Sequence, residues 1–298
     1  MIKPFLQLFR LPNVFTAIAD VMMGYLFTHA EPKFGGEFLL LVAGSALLYT
    51  AGMVLNDVFD VEVDRKERPE RPLPSGRIRL GTAKRLGFVL LGAGLACGWL
   101  AGALAPHFQF WSGLVATVLV GMILLYDIWL KSTPLGPLAM GACRMLNVLL
   151  GISAASWPWE TNNVLIAAAI GVYIVGLTWY ARTEAMMSNR RVLIAATLVL
   201  AIGMAMLGHL TRQQDKAREL AHIWPWLWLV LGGSIAGRFV QGVLEPTPER
   251  VQQAIKMGIM SLIVLDAVVA FSAVGQTATI ILLLWIPALA LGRWVYST

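Results

Sequence analysis

The chain has 298 residues and a net charge of +6, and only 13% of its residues are charged, against roughly 25% in soluble domains. Its mean hydropathy is +0.71, and the apolar residues come in runs of about twenty, the length that crosses about 30 Å of hydrocarbon. These features exclude a soluble globular protein. They also make a nucleic-acid partner the poorer account of the positive balance, because there is no basic tail and no DNA- or RNA-binding motif.

Residues 1–10 read as a short interfacial segment. The first crossing runs from about Leu11 to His29, with no cleavable signal, so this helix is expected to be retained. The second runs from about Glu37 into the Asn56 region. A long polar loop, 61–85, follows it, rich in Arg, Pro and Gly. Further crossings are expected at about Leu86–Ala105, Phe110–Leu130, Leu138–Ala155, Val164–Met187, Val192–His209 and Ile223–Val243. Two last runs, Ala254–Val274 and Thr277–Val295, are joined only by Gly275 and Gln276. The fold class is therefore all-α: a multi-pass transmembrane bundle of nine to ten helices, one unit over 1–298. No repeat of 20 to 50 residues interrupts that reading.

Charge asymmetry orients the bundle. Lysines and arginines crowd the side that holds the end of the second helix, among them Arg10, Arg65, Arg71, Arg77, Lys131, Arg182, Lys256 and Arg293. The opposite loops carry only Lys33, Arg212, Lys216 and Arg218. This predicts cytoplasmic termini and a multi-pass protein of a bacterial inner membrane. The basic loop from Thr211 to His222 sits against the trend. Cys97 and Cys143 fall inside apolar runs, as buried membrane thiols do. Trp157, Trp159, Trp224, Trp226, Trp228 and Trp294 lie near helix ends, where an interfacial belt is expected. His29, His107, His209 and His222 are scattered near helix ends and suggest no zinc or haem site.

The sharpest feature is Asn56-Asp57-Val58-Phe59-Asp60-Val61-Glu62-Val63-Asp64-Arg65. Asn56, Asp60 and Asp64 stand at i, i+4 and i+8. Each step of four advances roughly 400°, so the three share one helix face within about 80°, while Asp57 and Glu62 point elsewhere. Carboxylates grouped at a membrane edge need a positive partner. Hard oxygen ligands suit Mg²⁺, which takes one or two carboxylates, waters and substrate phosphate oxygens. The loop Arg68-Pro69-Glu70-Arg71-Pro72-Leu73-Pro74-Ser75-Gly76-Arg77 supplies guanidinium forks for phosphate and prolines that stiffen it. Face and loop together make a diphosphate site. Arg144 and Asn147 lie inside the fifth helix and Asp266 inside the ninth run; such residues mark a site or a buried pair. Arg144 is expected to face the ligand or to pair with Asp127.

The stretch NDVFDVEVDRKERPERPLPSGR resembles the first signature of the UbiA superfamily of membrane prenyltransferases. The resemblance extends to Leu11-Pro12-Asn13, to Tyr126-Asp127-Ile128-Trp129-Leu130-Lys131 and to Pro134-Leu135-Gly136. It implies a helical bundle around a central cavity. It also implies a prenyl diphosphate held through Mg²⁺, and prenyl transfer to an aromatic or other lipophilic acceptor. Asn56, Asp60 and Asp64 match the metal and diphosphate positions, and Arg71 and Lys131 match basic positions that serve the diphosphate. Asp60, Asp64 and Lys131 are the catalytic candidates. Asn56, Asp57, Arg65, Arg71, Arg77, Tyr126, Arg144, Asn147, Tyr180 and Arg182 are candidates for contacting substrate, and Met53, Phe59 and Tyr180 for contacting the prenyl chain.

The second motif departs from the family pattern. Tyr180-Ala181-Arg182-Thr183-Glu184-Ala185-Met186-Met187-Ser188 keeps one carboxylate, Glu184, as a fourth metal candidate. Arg182 then supplies charge that a second Mg²⁺ would otherwise bring. The altered motif resembles the UbiA-like member of the ebo gene clusters. It keeps open a second function, a prenyl-diphosphate or lipid-binding or transport component without turnover. A secondary transporter would need inverted repeats and a mid-membrane site, and neither is visible.

Overall fold

The computed structural model describes residues 2–29, 31–105, 108–157, 159–182 and 187–295. Its helices are α1 (Ile2–Leu8), α2 (Leu11–Thr28), α3 (Gly36–Phe59), α4 (Val61–Glu67), α5 (Leu80–Leu104), α6 (Trp111–Ile128), α7 (Gly136–Ile152), α8 (Thr161–Ala181), α9 (Arg190–Thr211), α10 (Asp215–Glu219), α11 (Trp224–Leu244), α12 (Pro248–Val274), α13 (Thr279–Leu282) and α14 (Trp285–Val295). No strand occurs among the described residues. Eight apolar segments are long enough to cross a bilayer, and the shorter α7 is also apolar. The chain is an integral, multi-pass membrane protein, as its composition requires.

Two expected boundaries move. The loop after the second crossing is shorter than its composition suggests, because α4 occupies its first third and α5 begins at Leu80. The last apolar run is not one helix. Gly275 takes φ 61, a left-handed conformation that favours glycine, and ends α12. A 3₁₀ turn, α13 and the eleven-residue α14 follow. The run turns back toward the motif: Gly275 borders Lys216 in the loop between α9 and α11, and Arg293 lines the same cavity as Arg68 and Arg71. The basic loop on the opposite side is offset locally: Lys216 pairs with Glu219 at 2.7 Å and Arg218 with Asp215 at 3.9 Å.

Close backbone approach joins α2 to α7. A Cβ on Gly24 would collide with the carbonyl of Val148, and one on Gly151 with that of Val21. In lipid, helix association depends on such small-residue contacts because no hydrophobic drive operates between helices. Gly151→Val is expected to destabilise the protein by about 1–3 kcal/mol, read as a lower unfolding midpoint in detergent. An unchanged midpoint would show that the two helices can separate freely.

Tryptophans cluster at the face opposite the motif, where Trp111 stacks on Trp157 with ring centroids 4.2 Å apart, and Trp159 meets both rings. Trp224, by contrast, is buried. Both cysteines are free thiols.

Candidate functional site

The motif lies at the junction of α3 and α4. Asp60 sits at φ −91, ψ 1 between the two helices, in the sparsely populated bridge region. The hydrogen-bond ladder survives the break: Asp60 N–H donates to Asn56 O at 3.0 Å and Asp64 N–H to Asp60 O at 2.8 Å. Each of the three side chains meets a partner from another part of the chain. Lys131 Nζ stands 2.7 Å from Asp60 Oδ1 and donates to Asn56 O at 3.5 Å. Asn56 Nδ2 donates to Asp127 Oδ1 at 3.0 Å. Arg71 Nη1 donates to both oxygens of Asp64, at 3.0 and 2.8 Å, and lies 3.7 Å from Asp57 Oδ1.

The sequence reading missed a further cation. Arg10 Nη2 donates to Asp57 Oδ1 at 3.0 Å. Arg10 is the only non-glycine with positive φ among the described residues, at φ 46 in the turn between α1 and α2. A left-handed residue there costs about 1–2 kcal/mol and swings the guanidinium beneath Asp57. Charge bias alone had accounted for this arginine; its position just before Leu11-Pro12-Asn13 was the available signal.

Beside Asp127 lies a narrow, partly open cavity of about 60 Å³ between α3, α6 and α7. Its walls are mostly apolar, with Met53 and Ile123 among them, and its polar groups are Tyr49, Tyr126, Asp127, Arg144 and Asn147. Asp127 is buried, and its Oδ2 has no hydrogen-bond partner. Arg144 does not pair with Asp127. Its Nε lies 3.0 Å from Asp20 Oδ2, and its Nη2 donates to Thr16 Oγ1 at 3.2 Å. Asn147 Nδ2 donates to Ala17 O at 2.8 Å and to Asp20 Oδ2 at 3.2 Å, while its Oδ1 accepts from Ser45 at 2.7 Å. The amide is spent tying α2, α3 and α7 together. Asp266 is wholly buried on α12, and neither of its carboxylate oxygens has a hydrogen-bond partner. Asp20 was also missed, although a carboxylate inside an apolar helix implies a partner.

Other candidates lie apart from this cluster. Tyr180 is fully buried against Phe239, whose carbonyl accepts its hydroxyl at 3.0 Å, so it packs α8 on α11 and does not line the cavity. Arg65 pairs with Glu62 on the exposed side of α4. Arg77 donates to Gln7 at 3.3 Å and to the Glu70 carbonyl. Phe59 is exposed. Arg182 donates to Thr133 O at 2.9 Å, two residues from Lys131 but touching neither Asp60 nor Asp64. Glu184 lies outside the described residues.

Order and spacing of these residues along the chain agree with one family. The model of the UbiA prenyltransferase family matches residues 17–262. The chain belongs to that family. Among its curated relatives, the digeranylgeranylglyceryl phosphate synthase of Metallosphaera sedula is 34% identical over 150 residues, half of each chain. The enzyme of the same name from Sulfolobus acidocaldarius is 42% identical over 94 residues, 32% of this chain and 34% of that one. The chain thus spans a third to a half of these relatives' length. A solved digeranylgeranylglyceryl phosphate synthase superposes with a TM-score of 0.63 at 21% identity, covering 97% of this chain and all of the other. A UbiA homologue from Archaeoglobus fulgidus bound to DMAPP and Mg²⁺ gives 0.58 at 15% identity, over 85% and 97%. These likenesses show the UbiA fold.

Among the described residues no three acidic, His or Cys side chains converge as a metal cage. Asp60 and Asp64 do offer two carboxylates at the membrane edge, each already neutralised by one cation. Mg²⁺ keeps waters and phosphate oxygens and needs only one or two carboxylates. The residues therefore fit a metal that arrives with its diphosphate, and not one held by protein alone.

Proposed function

We propose that the chain transfers a prenyl group from a prenyl diphosphate to an aromatic or other lipophilic acceptor, working as one unit over 1–298 in the plasma membrane of its cell. The motif face is cytoplasmic in this reading, by the positive-inside bias. The observation that carries the proposal is the pairing of Asp60 with Lys131 and of Asp64 with Arg71 at the end of α3, where Asn56 also bonds Asp127, a wall residue of the mainly apolar cavity. The relatives named as synthases and the homologue bound to DMAPP and Mg²⁺ support it.

Asn56, Asp60 and Asp64 would hold Mg²⁺, which on binding offsets charge on the diphosphate and makes it a better leaving group. Lys131, held at Asp60, and Arg71, held at Asp64, are fixed cations that would bind the departing diphosphate oxygens. Tyr126 lines the cavity where positive charge would develop on the allylic carbon, while the ring of Tyr49 already meets the Arg144 guanidinium at 6.0 Å. Met53, Leu119 and Ile123 hold the prenyl chain and keep water from it. Arg144 and Asn147 close the cavity floor by fixing α7 to α2.

The test is consumption of labelled geranylgeranyl diphosphate by purified protein, given a membrane lipid extract, with Mg²⁺ present or chelated. Mg²⁺-dependent diphosphate release and a new prenylated lipid are expected, both lost in Asp64→Asn. Tight Mg²⁺-dependent binding with no release from any acceptor mixture would replace the transferase by a lipid-binding component.

A further inference from the structure

The middle of the bundle holds more negative than positive charge. Asp20 on α2, Arg144 on α7 and Asp266 on α12 all lie inside apolar helices. Both carboxyls are 0% exposed, and Arg144 is buried beside them. Arg144 is committed to Asp20, with Nε 3.0 Å from Oδ2 and Nη2 donating to Oδ1 at 3.3 Å. Asn147 Nδ2 brings Asp20 a further donor at 3.2 Å. Asp266 receives none, since neither of its oxygens has a hydrogen-bond partner. Nearby hydroxyls are spent elsewhere: Tyr173 on α8 donates to Gly258 O at 2.9 Å, and Ser261 donates to the same carbonyl at 2.9 Å. Of the elements packed on α12, α2 brings Asp20 and α8 brings Tyr173, and α7 beyond α2 brings Arg144. Among the described residues no other titratable group acts on Asp266, and Arg144 is the only cation paired with either carboxyl.

Two carboxylates and one guanidinium leave one negative charge uncompensated. A buried carboxylate without a donor costs far more than its neutral acid, so such a group takes up a proton. An alkali ion needs several oxygens around it and room to enter. Neither carboxyl lines the narrow cavity or the one beside Arg71, and the oxygens of Asp20 already accept from Arg144 and Asn147. We infer that these residues form a proton-binding site inside the bundle, in which Asp266 carries one bound proton and Asp20 stays ionised against Arg144. The proton keeps two negative charges from opposing each other where α12 packs on α2. It also makes the three residues neutral together. Arg144, which lines the narrow cavity, then brings no net charge to the space proposed for the prenyl chain. The site stands independently of the transferase reading.

Carboxyl-carbon NMR of the full chain, isotope-labelled only in its aspartates and held in detergent at neutral pH, reads the proton directly. The resonance that disappears in Asp266→Asn is expected at the position of a carboxylic acid, and exchanging sodium for choline should not move it. In Asp20→Asn it should move to the carboxylate position, because one guanidinium then faces one carboxyl. Unfolding gives a second readout that needs no assignment. The folded state holds a proton that an exposed aspartate has already lost, so stability falls as pH rises. Between about pH 5 and 8 the unfolding equilibrium constant of the unaltered chain should grow about tenfold per pH unit relative to that of Asp266→Asn. A carboxylate resonance for Asp266 in the unaltered chain, an acid resonance that sodium converts to carboxylate, an acid resonance retained in Asp20→Asn, or parallel pH profiles for the two proteins would each overturn the site.

Discussion

Arg144→Leu is expected to destabilise the protein by about 3–5 kcal/mol, the usual cost of leaving one partner of a buried ion pair uncompensated. Asp20 and Asp266 are both wholly buried at mid-bundle, and Arg144 is the cation that meets Asp20. Without it, Asp20 keeps only Asn147 as a side-chain donor, at 3.2 Å. Chemical unfolding in detergent would read the loss. Asp20→Asn in the same background should recover a large part of it, because the stranded charge is then gone. If the double variant is no more stable than Arg144→Leu, the pair is not coupled and the account fails. Asp266→Asn should be far milder: two carboxylates against one guanidinium already leave one negative charge that the site must neutralise.

Asp60→Asn should leave the fold intact and lower turnover by about 10²–10³-fold, the range seen when one preorganised charge is removed from a transition-state site. Its side chain is 30% exposed and its main contact is Lys131, so little packing is lost. The amide weakens the hold on a cation and also releases Lys131, whose ammonium then sets its own position. Initial rates of diphosphate release at saturating Mg²⁺ and lipid would measure the effect. Turnover at the wild-type rate would remove Asp60 from the chemistry altogether.

What could be read in advance follows the range of the interactions. The motif was legible because Asn56, Asp60 and Asp64 lie within nine residues and Arg71 only seven beyond Asp64. Helical spacing and a short stiff loop suffice to bring these together. The crossings were legible for the same local reason, since each is a continuous apolar run. Arg144 was recognised as anomalous, but its partner is 124 residues away on α2, and no local pattern chooses Asp20 over Asp127. Tyr180 stood in a motif position, yet the path of α11 decides where its ring goes. The kink at Asp60 left its ladder bonds intact, so nothing in the spacing signalled it. Arg293 looked like one more basic residue at a membrane edge until α14 folded back along α2.

The membrane helices differ in length by about two turns. Rising 1.5 Å per residue, α5 with 25 residues and α9 with 22 reach about 37 and 33 Å, enough to match the lipid they face. The central α7 has only 17 residues and reaches about 26 Å. It is enclosed by α2, α6 and α8, so this hydrophobic mismatch falls on protein and not on lipid. The short helix therefore strains no lipid, and lengthening α7 by a turn is expected to leave the bilayer thickness that best supports the protein unchanged.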